Sequence, residues 1–199
     1  MTKKEKIENT ARELFWKHGF KKVSVDEICK KSQVSRKTFY TYYANKSALV
    51  IAIMEQKSNV IFEMYEQINS RDITFAEKLR ELLELKFAFN KDYSIEFISD
   101  FFHPDSQEIL GYFSDLTSKS IQLTREFYKQ AQAKGEMNPE LNIDFVMWML
   151  QKQLELISSD EALALFPDTD IMTRQLSYLI IFGIMPVDGI HLKSKNNPV

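Results

Sequence analysis

Apolar residues recur at helical spacing along most of this 199-residue chain, and few residues interrupt them. Near the start, Ile7, Ala11, Leu14 and Phe15 stand at positions i, i+4, i+7 and i+8, on one face of an amphipathic helix that Gly19 is expected to end. The chain contains only 5 Gly and 5 Pro, the residues that most often break helices. Because similar stripes continue to about residue 185, an all-α fold is predicted.

Two short helices with strong start signals follow the first one. Ser24 with Glu27 three residues later matches the pattern of a capping box, in which each side chain is expected to bond the backbone of the other. Ser35 is placed to cap the next helix, which is expected to run from Arg36 to about Tyr43. Two short helices joined by so few residues predict a helix-turn-helix, whose second helix enters the major groove of DNA.

Positive charge is concentrated in the same part of the chain. Residues 1–50 contain 12 Lys and Arg but only 5 Asp and Glu, whereas the whole chain has a net charge of −2. Arg36 and Lys37 lie in the first turn of the third predicted helix and Lys46 in that of the fourth, where the helix dipole disfavours cations. A phosphate backbone would compensate for this placement. Solubility of an exposed surface is the alternative explanation.

Tyr40 and Tyr42 are predicted to project away from the face of the third helix that carries Phe39 and Tyr43. Phe39 and Tyr43 stand at i and i+4, so they are expected in the core. A tyrosine hydroxyl can donate to a phosphate oxygen while the ring packs on a sugar or a thymine methyl. Contact with DNA is therefore predicted for Tyr40 and Tyr42, with a core position as the alternative for Tyr42.

The segment ARELFWKHGFKKVSVDEICKKSQVSRKTFYTYYANKSAL, within residues 4–50, resembles the DNA-binding domain of the TetR family of prokaryotic transcriptional regulators. The resemblance runs without a gap from the first helix to the start of the fourth. It implies contacts of Ser24 and Lys46 with phosphates, and an approach of the first turn of the third helix to base edges. The residues expected at DNA are Ser24, Ser35, Arg36, Lys37, Thr38, Tyr40, Tyr42 and Lys46.

Beyond the fourth helix the resemblance concerns architecture alone. It implies a DNA-binding domain at residues 1–48 and a larger helical domain at residues 49–190 that binds an effector and dimerises. The family dimerises through its last two long helices, expected here at residues 143–158 and 170–185. Both are apolar on most faces, so they require cover from a second copy or from the monomer core. Residues 191–199 are expected to form a disordered tail.

Aromatic and sulfur-containing side chains are frequent in the middle of the chain. They are candidates to line a pocket for a small apolar or aromatic effector, because ligand pockets are mostly apolar and methionine adapts to varied shapes. The alternative is that they form the core. The candidate effector-binding residues are Phe87, Tyr93, Phe97, Phe101, Tyr112, Phe113, Phe127, Met147 and Trp148.

An enzyme is the rival class of function, but the sequence contains no phosphate-binding loop, nucleophile elbow or paired metal ligands. His18, His103 and His191 are far apart in the chain, so no metal or cofactor is expected. Cys29 is the single cysteine and cannot form an internal disulfide. No apolar run suits a secretion signal or a membrane span, so a cytoplasmic protein without membrane contact is expected.

These features together predict a DNA-binding transcriptional regulator. The simplest form is a repressor that binds a near-palindromic operator as a homodimer and is released by a small effector. Control by a protein partner rather than by a ligand is the alternative, because such a protein would share every amino-terminal feature.

Overall fold

The computed structural model describes residues 1–90, 93–157, 164–165 and 169–186. These residues form α-helices and no strand, which confirms the prediction of an all-α fold. None of the helices in this described part is long and apolar enough to cross a membrane. The helices are α1 (Lys3–His18), α2 (Val25–Ser32), α3 (Arg36–Tyr42), α4 (Lys46–Asn69), α5 (Phe75–Asn90), α6 (Ile95–Phe102), α7 (Gln107–Ala133), α8 (Ile143–Ile157) and α9 (Thr169–Ile184).

The turn between α2 and α3 has the hydrogen bonds of a Schellman motif. Gln33 adopts the left-handed conformation, with φ 57° and ψ 43°, and its N–H donates to the carbonyl oxygen of Lys30. The N–H of Val34 donates to the carbonyl oxygen of Cys29 at 3.1 Å. These bonds satisfy the carbonyls at the end of α2 and reverse the chain within two residues. The predicted helix-turn-helix is confirmed.

Contacts between residues divide the chain into two compact units. Unit 1 comprises residues 1–66 and 89–118, and unit 2 comprises residues 67–88 together with the described residues after 118. Helices α4, α5 and α7 contribute residues to both units. Because α4 begins at Lys46 and continues without a break, the functional boundary after residue 48 stays a prediction. The predicted tail, residues 191–199, lies outside the described residues.

The core of unit 1 is built from the apolar stripes of its helices. Phe15 and Phe20 pack edge to face with ring centroids 6.4 Å apart, and Phe97 of α6 and Phe113 of α7 both contact Phe20. Burying one such side chain stabilises the fold by roughly 1.5 to 3 kcal/mol. The largest side chains that are almost fully buried in this unit are Ile7, Leu14, Phe15, Phe20, Ile28, Phe39, Leu49, Ile53, Phe97 and Ile109.

Cys29 lies within this core, with 6% of its surface exposed. Burial, and then the charge of Asp26, raise the pKa of the Cys29 thiol. Because the thiolate is the reactive form, we expect native protein to react slowly with a thiol-disulfide reagent and unfolded protein to react at once. With a chromogenic disulfide reagent, the absorbance of the thiolate that it releases measures both rates. A Cys29→Ala, Ala133→Cys variant carries an exposed thiol as the control, and rapid labelling of native wild-type protein would contradict the prediction.

In unit 2, a buried hydrogen bond between polar side chains connects α8 and α9. The side-chain amide of Gln153 donates to the hydroxyl of Ser177 at 3.2 Å, and both residues are buried. The helices lie within one residue of the two predicted for dimerisation. A hydrogen bond between buried side chains is directional, so it fixes the register of the two helices against each other.

Candidate nucleic-acid interface

Helix α3 separates a buried face from an exposed one. Phe39 is fully buried and Tyr43, which follows the last helical residue, is 5% exposed. Tyr40 and Tyr42 are 48% and 43% exposed, so Tyr42 does not take the core position that was its alternative. This arrangement follows from the spacing of the aromatic residues, because side chains at i and i+4 share one face of a helix.

The first turn of α3 presents two basic side chains at the surface. Arg36 and Lys37 are both exposed, and the Nε atom of Arg36 lies 3.2 Å from Oδ1 of Asp26 in α2. A hydrogen bond with Tyr40, and then the charge of Asp26, raise the pKa of the Arg36 guanidinium. The group therefore carries a positive charge beside Tyr40 on the exposed face. Sequence reasoning missed Asp26, because an ion pair between two helices leaves no local signal.

The hydroxyl groups of Ser24 and Ser35 cap the two helices. Oγ of Ser24 accepts a hydrogen bond from the N–H of Glu27, and Oγ of Ser35 accepts one from the N–H of Thr38, both at 3.1 Å. The hydroxyl groups of Ser35 and Thr38 also lie 3.0 Å apart. Since a serine hydroxyl can donate while it accepts, the exposed Ser24 keeps a donor for a phosphate oxygen.

Lys46, at the start of α4, binds the loop between α1 and α2. Its ammonium group donates to the carbonyl oxygens of Phe20, Lys21 and Val23 at 2.8, 3.0 and 3.2 Å. An ammonium group has three hydrogens, so this set can use all of them. Lys46 therefore fixes the loop that leads into α2, a role that the sequence alone did not indicate. The phosphate contact implied for this residue stays a prediction.

Five of the nine candidate effector-binding residues lie in unit 1. Phe97 and Phe113 are buried, and Tyr93, Phe101 and Tyr112 are partly buried around them. The rings of Tyr93 and Phe97 pack at a tilt with centroids 4.4 Å apart, and those of Phe101 and Phe113 with centroids 4.2 Å apart. These five rings pack in the core of unit 1. This is the arrangement expected if they form the core and do not line a pocket.

The other four candidates lie in unit 2. Phe87, Phe127 and Met147 are buried, whereas Trp148 is 50% exposed and stacks on Phe145. An open, mainly apolar groove of about 500 Å³ runs between α8 and α9, but none of the nine candidates lines it. The effector site therefore stays a prediction. Among the described residues, no group of three His, Cys, Asp or Glu side chains could hold a metal ion.

Comparison with known proteins places this geometry among transcriptional regulators. The family model described as bacterial regulatory proteins, tetR family, matches residues 7–53. The uncharacterized HTH-type transcriptional regulator YerO of Bacillus subtilis is 27% identical over 140 residues, which cover 67% of this chain and 48% of YerO. The putative mycofactocin biosynthesis transcriptional regulator MftR of Mycobacterium tuberculosis is 36% identical over 84 residues, which cover 42% of this chain and 40% of MftR. The chain thus matches about half, or less, of the length of these two relatives.

The fold also resembles solved structures over almost its whole length. The transcriptional regulator FadR from Bacillus subtilis, solved in complex with stearoyl-CoA, superposes with a TM-score of 0.70. The match covers 94% of this chain and 100% of FadR at 17% sequence identity. At that identity, the likeness shows the shared fold: an amino-terminal helix-turn-helix domain followed by a helical domain.

Proposed function

Because this chain belongs to the TetR family of bacterial transcriptional regulators, we propose that it binds a near-palindromic operator as a homodimer and represses transcription until a small effector releases it. It is a regulator and not an enzyme, since its relatives and its fold are those of DNA-binding regulators. A regulator of this kind would act in the cytoplasm, because that is where bacterial DNA lies.

The observation that carries the proposal is the exposed face of α3. Arg36, Lys37, Tyr40 and Tyr42 are all exposed there, and two of them are cations in the first turn of the helix. In the proposed complex, α3 enters the major groove with its amino-terminal end first. Arg36 and Lys37 then reach base edges with Thr38, while the tyrosine hydroxyls donate to phosphates. Bound across a promoter, the protein would exclude the transcription machinery.

A second copy of the chain is the proposed partner of α8 and α9. Phe145, Trp148, Ile171 and Leu179 are between 49% and 69% exposed on these two helices. Apolar surface of this kind is costly in water, and covering it with the same surface of a second copy gives a symmetric, self-complementary interface. The dimer would present two copies of α3 to successive major grooves.

A small apolar or aromatic molecule is the proposed effector. FadR from Bacillus subtilis, a protein of the same fold, was solved in complex with stearoyl-CoA, whose acyl chain is apolar. An effector acts only if it binds the DNA-competent and the released arrangements with different affinity. A shift of α4 is the proposed route, because this helix begins beside the loop between α1 and α2 and contributes residues to both units.

Binding to duplex DNA should depend strongly on salt concentration. Two substitutions should separate the contribution of base contacts to affinity from that of phosphate contacts. We expect Arg36→Ala to relax base preference at a cost of about 1 to 3 kcal/mol. Lys46→Ala should weaken binding to all sequences and lower the slope of log affinity against log salt by about 1 if Lys46 contacts a phosphate. Fluorescence anisotropy titrations at several salt concentrations measure both quantities.

Lys134→Ala serves as the control, because Lys134 is an exposed cation in unit 2 and outside the proposed interface. It should leave both quantities unchanged. A weaker Lys46→Ala variant with an unchanged salt slope would assign Lys46 to the loop contacts alone. If the wild-type protein shows no salt-sensitive affinity for any duplex, even at low ionic strength, the proposed function is wrong.

A further inference from the structure

A buried carboxylate lies where α1, α3 and α4 meet. Glu8 of α1 is 7% exposed, and its Oε1 atom accepts a hydrogen bond from the hydroxyl of Tyr43, which follows the last residue of α3. The side-chain amide of Gln56 in α4 donates to the same oxygen at 3.2 Å. A charged group is costly to bury unless it is hydrogen-bonded, so these contacts are what make this position of Glu8 tolerable. One oxygen atom of α1 therefore holds both α4 and the residue that ends α3.

Cationic side chains on α1 complete this polar cluster. Nζ of Lys4 lies 3.7 Å from Oε1 of Glu8, and the guanidinium of Arg12 donates to Oε1 of Gln56 at 3.4 Å. Burial, followed by the hydrogen bond to Glu8, raises the pKa of the Tyr43 phenol. The phenol therefore remains protonated and can donate at any pH at which a cytoplasmic regulator works.

Only two of the side chains of α3 and its capping residue are buried. Phe39 is fully buried and Tyr43 almost so, with ring centroids 6.0 Å apart, while the helix itself has seven residues. Apolar packing is non-directional, so Phe39 constrains the rotation of α3 about its axis less sharply than a hydrogen bond does. A hydrogen bond prefers a narrow range of distances and angles. The bond from Tyr43 to Glu8 is thus the directional contact on the buried side.

We propose that the hydrogen bond from Tyr43 to Glu8 sets the rotation of α3 and thereby the match between its exposed side chains and the base edges. The inference rests on the proposed DNA-binding function and deepens it. Glu8 and Tyr43 are positioning residues, because both are buried and act through Arg36 and its neighbours on the exposed face.

Tyr43→Phe tests this role, because it keeps the ring and removes only the hydroxyl. The probes are a duplex of about 30 base pairs that the wild-type protein selects from a randomised library, and a scrambled duplex of the same composition. We expect affinity for the selected duplex to fall about tenfold while affinity for the scrambled duplex stays the same. Anisotropy titrations at one salt concentration, well below each variant's melting temperature, measure the ratio of the two affinities.

Two further variants separate positioning from stability. Glu8→Gln keeps an acceptor for Tyr43 and should hold the affinity ratio within about twofold of wild type. The double variant Glu8→Leu, Tyr43→Phe makes both partners apolar, so it should recover thermal stability while the ratio stays reduced. Tyr128→Phe removes a buried tyrosine hydroxyl in unit 2 and should leave the ratio unchanged.

The outcomes distinguish this inference from the proposed function. A wild-type ratio in Tyr43→Phe, or its recovery in the double variant, would show that the hydrogen bond does not orient α3, while DNA binding itself would stand. A wild-type protein that selects no duplex would overturn the proposed function and this inference with it.

Discussion

Replacing Leu179 with glutamate is expected to convert the proposed dimer into monomers and to lower affinity for the selected duplex by about 100-fold or more. Leu179 is 69% exposed on α9 and lines the groove between α8 and α9. A carboxylate at this position would place a charge in the mainly apolar proposed interface, and burying a charge is costly. A monomer binds one half-site at a time, so it loses the effective concentration that links the two halves. Sedimentation velocity gives the mass, and anisotropy the affinity.

Val60→Glu is the matched control for this substitution. Val60 is 46% exposed on the part of α4 that belongs to unit 1, so the same kind of charge is added outside the proposed interface. This variant should remain dimeric and bind the operator as wild type does. If Leu179→Glu also remains dimeric, α8 and α9 are not the interface.

Gly19→Ala should lower the free energy of unfolding by about 3 kcal/mol or more. Gly19 has φ 75° and ψ 157°, a conformation that is essentially restricted to glycine. A Cβ atom there would lie 2.5 Å from Oδ2 of Asp100 and 3.2 Å from a backbone carbon of Glu96. Asp100 cannot withdraw without loss, because its Oδ2 accepts the N–H of Lys21 at 2.8 Å. Urea denaturation measures the change.

Two other glycines serve as controls that separate backbone strain from the steric clash with Asp100. Gly135 has φ 73° with nothing within 4 Å of an added Cβ, so alanine there should cost about 1 kcal/mol through backbone strain alone. Gly111 lies within α7 with open space around it, and alanine there should stabilise the protein by about 0.5 to 1 kcal/mol. Equal losses at Gly19 and Gly135 would show that the contact with Asp100 does not matter.

The helix-turn-helix could be predicted from the sequence because its signals are local. Ser24 and Ser35 cap their helices through residues three positions later, and Phe39 and Tyr43 share a face because they are four residues apart. Such relations depend on helical geometry alone, which the sequence encodes within one or two turns. The exposed positions of Arg36 and its neighbours follow from them.

Contacts between distant parts of the chain could not be predicted in this way. Glu8 and Tyr43 are 35 residues apart, and nothing near Glu8 in the sequence marks it as a buried acceptor. Lys46 reads as an exposed cation, although it binds carbonyl oxygens 23 to 26 residues earlier. The aromatic candidates for an effector site lie in both units. Helical spacing predicts that a side chain faces inward, but it does not show whether that side chain packs in the core or lines a ligand pocket.

The contacts of Lys46 have a consequence for how a regulatory signal could be transmitted. Its ammonium group holds the carbonyl of Val23, and Ser24 next along the chain caps α2. A displacement of the first turn of α4 would therefore carry the start of α2 in the same direction. The start of the helix-turn-helix would then move with α4, so in the proposed dimer the proposed effector would change the distance between the two reading heads.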